Sequence, residues 1–183
     1  YIVIETDADV ETKWPVITGG RPDFVKVYLV HSEDDEASGH PRERSGLHPR
    51  LVRVIVAKAH AAGLQVTAHV ETAADFRQAV RAGVDELAHV PGWLVNSAAD
   101  VERARLTEAD ARLAAERLVH VVTTTVAGRA MPGGDAHHAH SSHEQHGVAQ
   151  ADQVLKENLA LLHRAGARLA IGSDHADTSL AEA

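Results

Sequence analysis

The chain has 183 residues, of which 44% are hydrophobic, and its 18 basic and 26 acidic residues give a formal charge of −8. This length corresponds to one ordinary globular domain, and no apolar run approaches the length that spans a bilayer. Nucleic-acid surfaces need clustered Lys and Arg, so an acidic chain without a basic tract excludes that class. There is no cysteine, so any metal site must use His, carboxylate or modified side chains.

Histidine is the most unusual component of the sequence, with 14 residues. One group forms a dense run in a Gly/Ser-rich loop at about 128–147, and the remaining histidines occur singly. The members of the run are His137, His138, His140, His143 and His146. Such a tract is typical of nickel, zinc or copper binding or of a mobile polar lid, and we favour the lid.

The first elements follow a helix–glycine–strand order. Residues 1–4 predict a strand remnant, and because the chain begins at Tyr1 and not at Met, we expect a processed chain or a fragment. Thr6, with Asp9 three residues later, predicts a helix N-cap, and a glycine pair ends that helix. The continuous β-branched run at 24–30 is typical of a buried strand in a parallel sheet.

The same order continues to the end of the chain. The predicted elements are polar loops at 31–48 and 91–100, helices at about 49–61, 72–82, 107–117 and 148–165, and strands at about 64–70, 84–90, 118–126 and 168–174. Helices that alternate with buried strands predict a parallel α/β array with right-handed crossovers. Because a closed (β/α)8 barrel has eight strands and typically about 250 residues, we predict one domain, residues 1–183, that is a partial (β/α)8 TIM barrel with its first strands missing.

Four polar residues follow helix-ending glycines at similar distances. The pairs are Gly20 with Lys26, Gly63 with His69 and Gly83 with His89, each six residues apart, and Gly166 with Asp174, eight residues apart. Because a strand rises about 3.3 Å per residue, we expect all four polar residues at the carboxyl ends of neighbouring strands. Barrel enzymes build their sites at that face.

These side chains indicate a metal site. Two imidazoles and the carboxylate of Asp174 suit a borderline divalent ion such as zinc, and the carboxylate also suits manganese or iron. Lys26 as an ammonium would repel a metal and is expensive to bury. Carbon dioxide added to its neutral amine gives a carbamate, an anionic oxygen ligand that can bridge two metals, so we predict one or two zinc ions and a lysine carbamate.

Four segments carry a family resemblance: DFVK at 23–26, TAHVET at 67–72, DELAH at 85–89 and IGSD at 171–174. In them the chain resembles the amidohydrolase superfamily of metal-dependent hydrolases, in its imidazolonepropionase-like and prolidase-like branch, from about the end of the third barrel strand to the eighth. The resemblance implies that the fourth strand supplies the carbamylated lysine, the fifth and sixth strands one histidine each, and the eighth strand the aspartate. These would be Lys26, His69, His89 and Asp174.

The resemblance also implies a reaction and shows one departure. Family members use a metal-activated water to hydrolyse a C–N bond in a small amide, cyclic amide or dipeptide-like substrate, with Asp174 transferring the proton. Deaminases of the superfamily carry Glu where this chain has Thr72, so we expect hydrolysis. The family's first strand supplies a His-x-His pair, whereas residues 138–140 have that spacing only in the Gly/Ser loop. The alternative is a non-catalytic metal-binding or scaffold protein with a His-rich loop.

Further candidates lie beside these four positions. Tyr28 shares a strand face with Lys26 and would contact a substrate carbonyl or pack in the core, and Trp93 would line a substrate pocket or pack likewise. His31 and His175 adjoin the site in sequence, as second-rank substrate-binding or loop residues. The expected partner is a small amide-type substrate, open sheet edges predict association into a homo-oligomer, and the compartment is open, with the cytoplasm favoured.

Overall fold

The structure, a computed structural model, describes residues 1–30, 32, 46–92, 98–124, 142–172 and 174. These residues form one sheet of five parallel strands whose spatial order follows the chain. The strands are β1 (Phe24–Tyr28), β2 (Gln65–His69), β3 (Glu86–Ala88), β4 (His120–Val122) and β5 (Arg168–Ala170). The predicted α/β class is confirmed, and the arrangement is that of a partial (β/α)8 barrel.

Helices separate the strands along the chain. They are α1 (Asp7–Gly19), α2 (Pro49–Ala61), α3 (Ala73–Ala82), α4 (Ala98–Ala104), α5 (Glu108–Glu116) and α6 (Ser142–Arg164). In the described part of the chain, none of them combines the length and the apolar character needed to cross a bilayer.

Three helices begin with the same capping box. A threonine side chain accepts a hydrogen bond from the backbone three residues later, and the aspartate at that position accepts one from the threonine backbone. The pairs are Thr6 with Asp9, Thr72 with Asp75 and Thr107 with Asp110. Each box satisfies backbone donors that the first helical turn leaves open, and the predicted starts of these helices are confirmed.

The two faces of the sheet differ in burial. On β1, Val25 and Val27 are buried in the aliphatic core, whereas Phe24 and Lys26 on the other face are exposed and Tyr28 is half-buried. Right-handed crossovers between successive strands place the helices on one face. The opposite face therefore carries the polar side chains, and its carboxyl edge holds the candidate site.

Two predicted elements are wrong. Residues 1–4 do not form a strand, and the carbonyl of Val3 accepts a hydrogen bond from Lys13 Nζ at 2.7 Å. Of the loop predicted at 91–100, residues 98–100 instead begin α4, which packs on α6, and residues 93–97 lie outside the described part of the chain. The paired parts of the strands are also shorter than predicted, and α6 begins about six residues earlier.

Candidate active site

The strand register sets the height of each predicted site residue. His69 ends β2 and lies opposite Tyr28 on β1 and Ala88 on β3. His89 follows β3 directly, and Asp174 lies four residues after β5. The structure therefore places these two histidines and the aspartate at the carboxyl edge of the sheet, as the glycine spacing predicts.

Lys26 does not reach that edge. It lies in the middle of β1 opposite Thr67, two residues before Tyr28. The expectation from equal spacing fails because the connection into β1 is longer: β1 starts four residues after Gly20, whereas β2 starts two residues after Gly63. Gly63 itself takes the left-handed turn with φ 75°, whereas after α1 that turn falls on Arg21 with φ 49°.

Aromatic contacts join the site side chains into one cluster. The ring centroids of Tyr28 and His69 are 4.9 Å apart, and those of His69 and His89 are 4.7 Å apart in an edge-on arrangement. Lys26 Nζ lies 5.4 Å from the Tyr28 ring centroid. Although Lys26 starts from a lower level of the sheet, its amine extends towards the cluster.

His89 is held in an unusual backbone conformation. Its φ is 78°, and its amide donates to the carbonyl of Val122 at 3.1 Å. Nδ1 of its ring lies 2.6 Å from Thr124 Oγ1, and Nε2 lies 3.8 Å from Oδ2 of Asp174. Thr124 and Asp174 also have positive φ, at 30° and 53°. Such conformations cost roughly 1–3 kcal/mol each and cluster at functional sites.

The surroundings of His89 favour its neutral form. The side chain is 2% exposed, and this burial, with the nearby His69 and Lys26, lowers the pKa of His89 to about 4, against the opposing effect of Asp174 and Glu71. The ring is therefore neutral at pH 7. Neutral imidazole is the form that binds metal ions.

Sequence reasoning missed two side chains of this cluster. Glu71 Oε1 lies 3.2 Å from His69 Nε2, and Thr124 contacts His89. His69, Ala88 and Val122 lie side by side on neighbouring strands. Glu71 is two residues after His69, and Thr124 is two residues after Val122. The period of two that places alternate strand residues on one face is the signal that points to both.

Solved structures provide the comparison with known proteins, since no protein-family model and no curated protein matches the sequence. An uncharacterised protein is 25% identical over 94% of this chain and 39% of its own, with a TM-score of 0.66. A second structure of that same protein, there described as a prolidase complexed with N-methylphosphonate-L-proline, is 28% identical over 73% of this chain and 30% of its own, with a TM-score of 0.52. An amidohydrolase shares the fold at 23% identity over 93% and 38%, with a TM-score of 0.65.

The structural resemblance to the amidohydrolase superfamily is confirmed. This chain spans 39% or less of the length of these three structures. Five parallel strands that alternate with helices are consistent with a partial barrel and with this partial coverage.

Two described side chains of the site, His69 and His89, are of a type that binds divalent metal ions. His89 is neutral, its Nδ1 is anchored by a hydroxyl and its Nε2 faces the carboxylate of Asp174; an anchored second nitrogen is the usual arrangement of metal-binding histidines. His69 supplies an adjacent imidazole. Within the described residues, no three ligand-type side chains lie close enough together to hold an ion.

Several predictions fall on parts of the chain that the structure does not describe. These are the roles of His31, Trp93 and His175, and the lid or metal-binding role of residues 137–141. For His143 and His146 only the helical backbone of α6 is described.

Proposed function

We propose that the chain is part of a metal-dependent hydrolase that cleaves C–N bonds in small amides, cyclic amides or dipeptide-like substrates. The observation that carries the proposal is the pairing of His69 and His89, 4.7 Å apart at the carboxyl edge of a parallel sheet, with Asp174 facing the second ring. The prolidase at 28% identity supports the dipeptide-like member of this substrate range.

We assign the metal to His69, His89, Asp174 and a carbamate on Lys26. Two imidazoles and two anionic oxygen donors form a set that suits zinc. The carbamate forms when the neutral Lys26 amine adds to carbon dioxide and loses a proton. A divalent ion, when bound, acts as a Lewis acid and lowers the pKa of coordinated water towards about 7.

Asp174 is the residue that we assign to proton transfer. Its side chain is 48% exposed, beside a buried histidine, so it can reach both an attacking water and a leaving nitrogen. The water oxygen bonds to the carbonyl carbon as Asp174 takes one of its protons. The C–N bond then breaks, and Asp174 delivers that proton to the nitrogen.

Substrate contacts are proposed for three aromatic or imidazole side chains. The half-buried Tyr28 ring lies 4.9 Å from the His69 ring, centroid to centroid, and belongs to the cluster, which supports a contact with the substrate carbonyl. Trp93 and His175 follow the segments that carry His89 and Asp174, and their proposed contacts rest on sequence position.

Elemental analysis of protein purified without a His-affinity step tests the metal assignment. We expect bound zinc to fall at least tenfold in His69→Ala and Lys26→Ala, because each removes a proposed ligand. Zinc should stay unchanged when residues 137–146 are deleted. His60→Ala is the matched control, because His60 is 44% exposed and bonds to Asp85, which precedes β3 at the amino edge of the sheet.

The same measurement separates the alternative function. If bound zinc falls only when residues 137–146 are deleted, the chain is a metal-binding protein whose strand-end cluster holds no ion, and the proposal is wrong. If bound zinc falls in His69→Ala and Lys26→Ala, hydrolysis of Xaa-Pro dipeptides and cyclic amides is the activity to assay. We expect Asp174→Asn to abolish turnover.

A further inference from the structure

β4 supplies no proposed metal ligand, yet it lies between the strand that leads to His89 and the strand that leads to Asp174. Its end makes two contacts with the histidine. The carbonyl of Val122 accepts the His89 amide at 3.1 Å, and Thr124 Oγ1 lies 2.6 Å from His89 Nδ1. Both the backbone and the ring of His89 are therefore held by β4 and the residues that follow it.

Thr124 is packed from its other side as well. It is 4% exposed and has a φ of 30°. A Cβ placed on Gly172 would lie 2.5 Å from Val122 Cγ1 and 3.5 Å from Thr124 Cγ2, so the backbone at Gly172 passes close against both side chains. Because Gly172 is two residues before Asp174, Thr124 stands between His89 and the segment that carries the aspartate.

On the basis of the proposed function, we infer that Thr124 is a positioning residue that sets both the ring orientation and the tautomer of His89. An oxygen at Nδ1 favours the ring orientation that directs Nε2 towards Asp174, because a flipped ring would present a carbon to the hydroxyl. A neutral imidazole carries one ring proton. With that proton on Nδ1, donated to Thr124 Oγ1, Nε2 keeps the lone pair that a metal ligand needs.

Nitrogen-15 NMR of the metal-free full chain reads this tautomer directly, and comparison with His89→Gln assigns the signals. We expect Nδ1 protonated and Nε2 unprotonated in the unmodified chain. Thr124→Ser keeps the hydroxyl and should keep this pattern, whereas Thr124→Val keeps the shape, removes the oxygen and should lose it. Thr123→Val makes the same change at the neighbouring buried position and should resemble the unmodified chain.

The inference is overturned if Thr124→Val keeps the original tautomer, or if His89 in the unmodified chain carries its proton on Nε2. The second result decides the question even if Thr124→Val does not fold. Zinc titration by calorimetry adds an independent readout: we expect about 10- to 100-fold weaker binding in Thr124→Val and recovery in Thr124→Ser. If His69→Ala leaves zinc affinity unchanged, the proposed function fails, while the tautomer comparison still decides the role of Thr124.

Discussion

Tyr28 and His69 are direct partners across the β1–β2 pair, and their rings lie 4.9 Å apart at a tilt of 32°. Tyr28 therefore occupies the level of the sheet that equal spacing predicted for Lys26. His89 approaches the same imidazole edge-on at 4.7 Å. His69 is consequently fixed between two rings, and its orientation depends on both.

Removing the Tyr28 ring should loosen this arrangement. We expect Tyr28→Ala to lower the free energy of unfolding by about 1–2 kcal/mol, because a half-buried aromatic side chain loses both its packing and its stacking on His69. Tyr28→Phe keeps the ring and should stay within about 0.5 kcal/mol of the original value. Urea unfolding of the three proteins measures this, and equal losses in both variants would show that the hydroxyl, not the ring contact, stabilises the site.

The sequence predicts the order of this fold well because its signals are local. Three capping threonines and the left-handed glycines Gly63, Gly83 and Gly166 mark helix ends without reference to the rest of the chain. The positions of His69, His89 and Asp174 at strand ends follow from those marks.

What the sequence does not predict depends on longer-range geometry. Lys26 falls two residues short because the connection into β1 is longer than the one into β2, and residue spacing alone does not show where pairing starts. His89 has a positive φ and bonds to Thr124, which is 35 residues away in the chain, so neither feature can be predicted from the residues next to His89.

Asp75 joins the segment after β1 to the start of α3 by hydrogen bonds. This carboxylate is fully buried, and Oδ1 accepts hydrogen bonds from Ser32 N at 2.8 Å and from its hydroxyl, while Oδ2 accepts from the amides of Glu71 and Thr72 at 3.2 and 3.0 Å. We expect Asp75→Asn to cost about 2–4 kcal/mol, because the amide group turns an acceptor into a donor that faces backbone donors.

Ser32→Ala is the graded control for Asp75, since it removes only the hydroxyl bond and should cost about 1 kcal/mol. Denaturant unfolding monitored by circular dichroism gives both values. A loss in Asp75→Asn no larger than that in Ser32→Ala would contradict the expected cost of replacing one carboxylate oxygen with a donor.

Gly172, in the segment after β5, lies close against the side chain of Val122 on β4. A Cβ there would meet Val122 Cγ1 at 2.5 Å, and a β-branched side chain has few rotamers with which to withdraw. We therefore expect Gly172→Ala to cost about 1–3 kcal/mol. Val122→Ala should relieve the clash, so the double variant should lose less stability than the sum of the two single variants.

Gly19→Ala tests whether the effect at Gly172 is steric. Gly19 ends α1, its Cβ would meet nothing within 4 Å, and its φ is not positive. The substitution should be neutral or stabilising by up to about 1 kcal/mol. Comparable losses at both glycines would contradict the proposed close contact.

The buried His89 should make the stability of the chain depend on pH. Its pKa in the folded chain is about 4, against an ordinary value of 6.5, so the unfolded chain takes up the proton first as the pH falls. The free energy of unfolding is therefore unaffected by the titration of this histidine above pH 6.5, and it falls between pH 6.5 and 4 by up to about 3 kcal/mol. His69 and Lys26 add to the pKa shift, and Asp174 and Glu71 oppose it.

Urea unfolding from pH 7.5 to 4 should show this loss of stability, and His89→Gln should make the free energy of unfolding depend less on pH. Parallel slopes in the unmodified chain and His89→Gln would show that another group titrates.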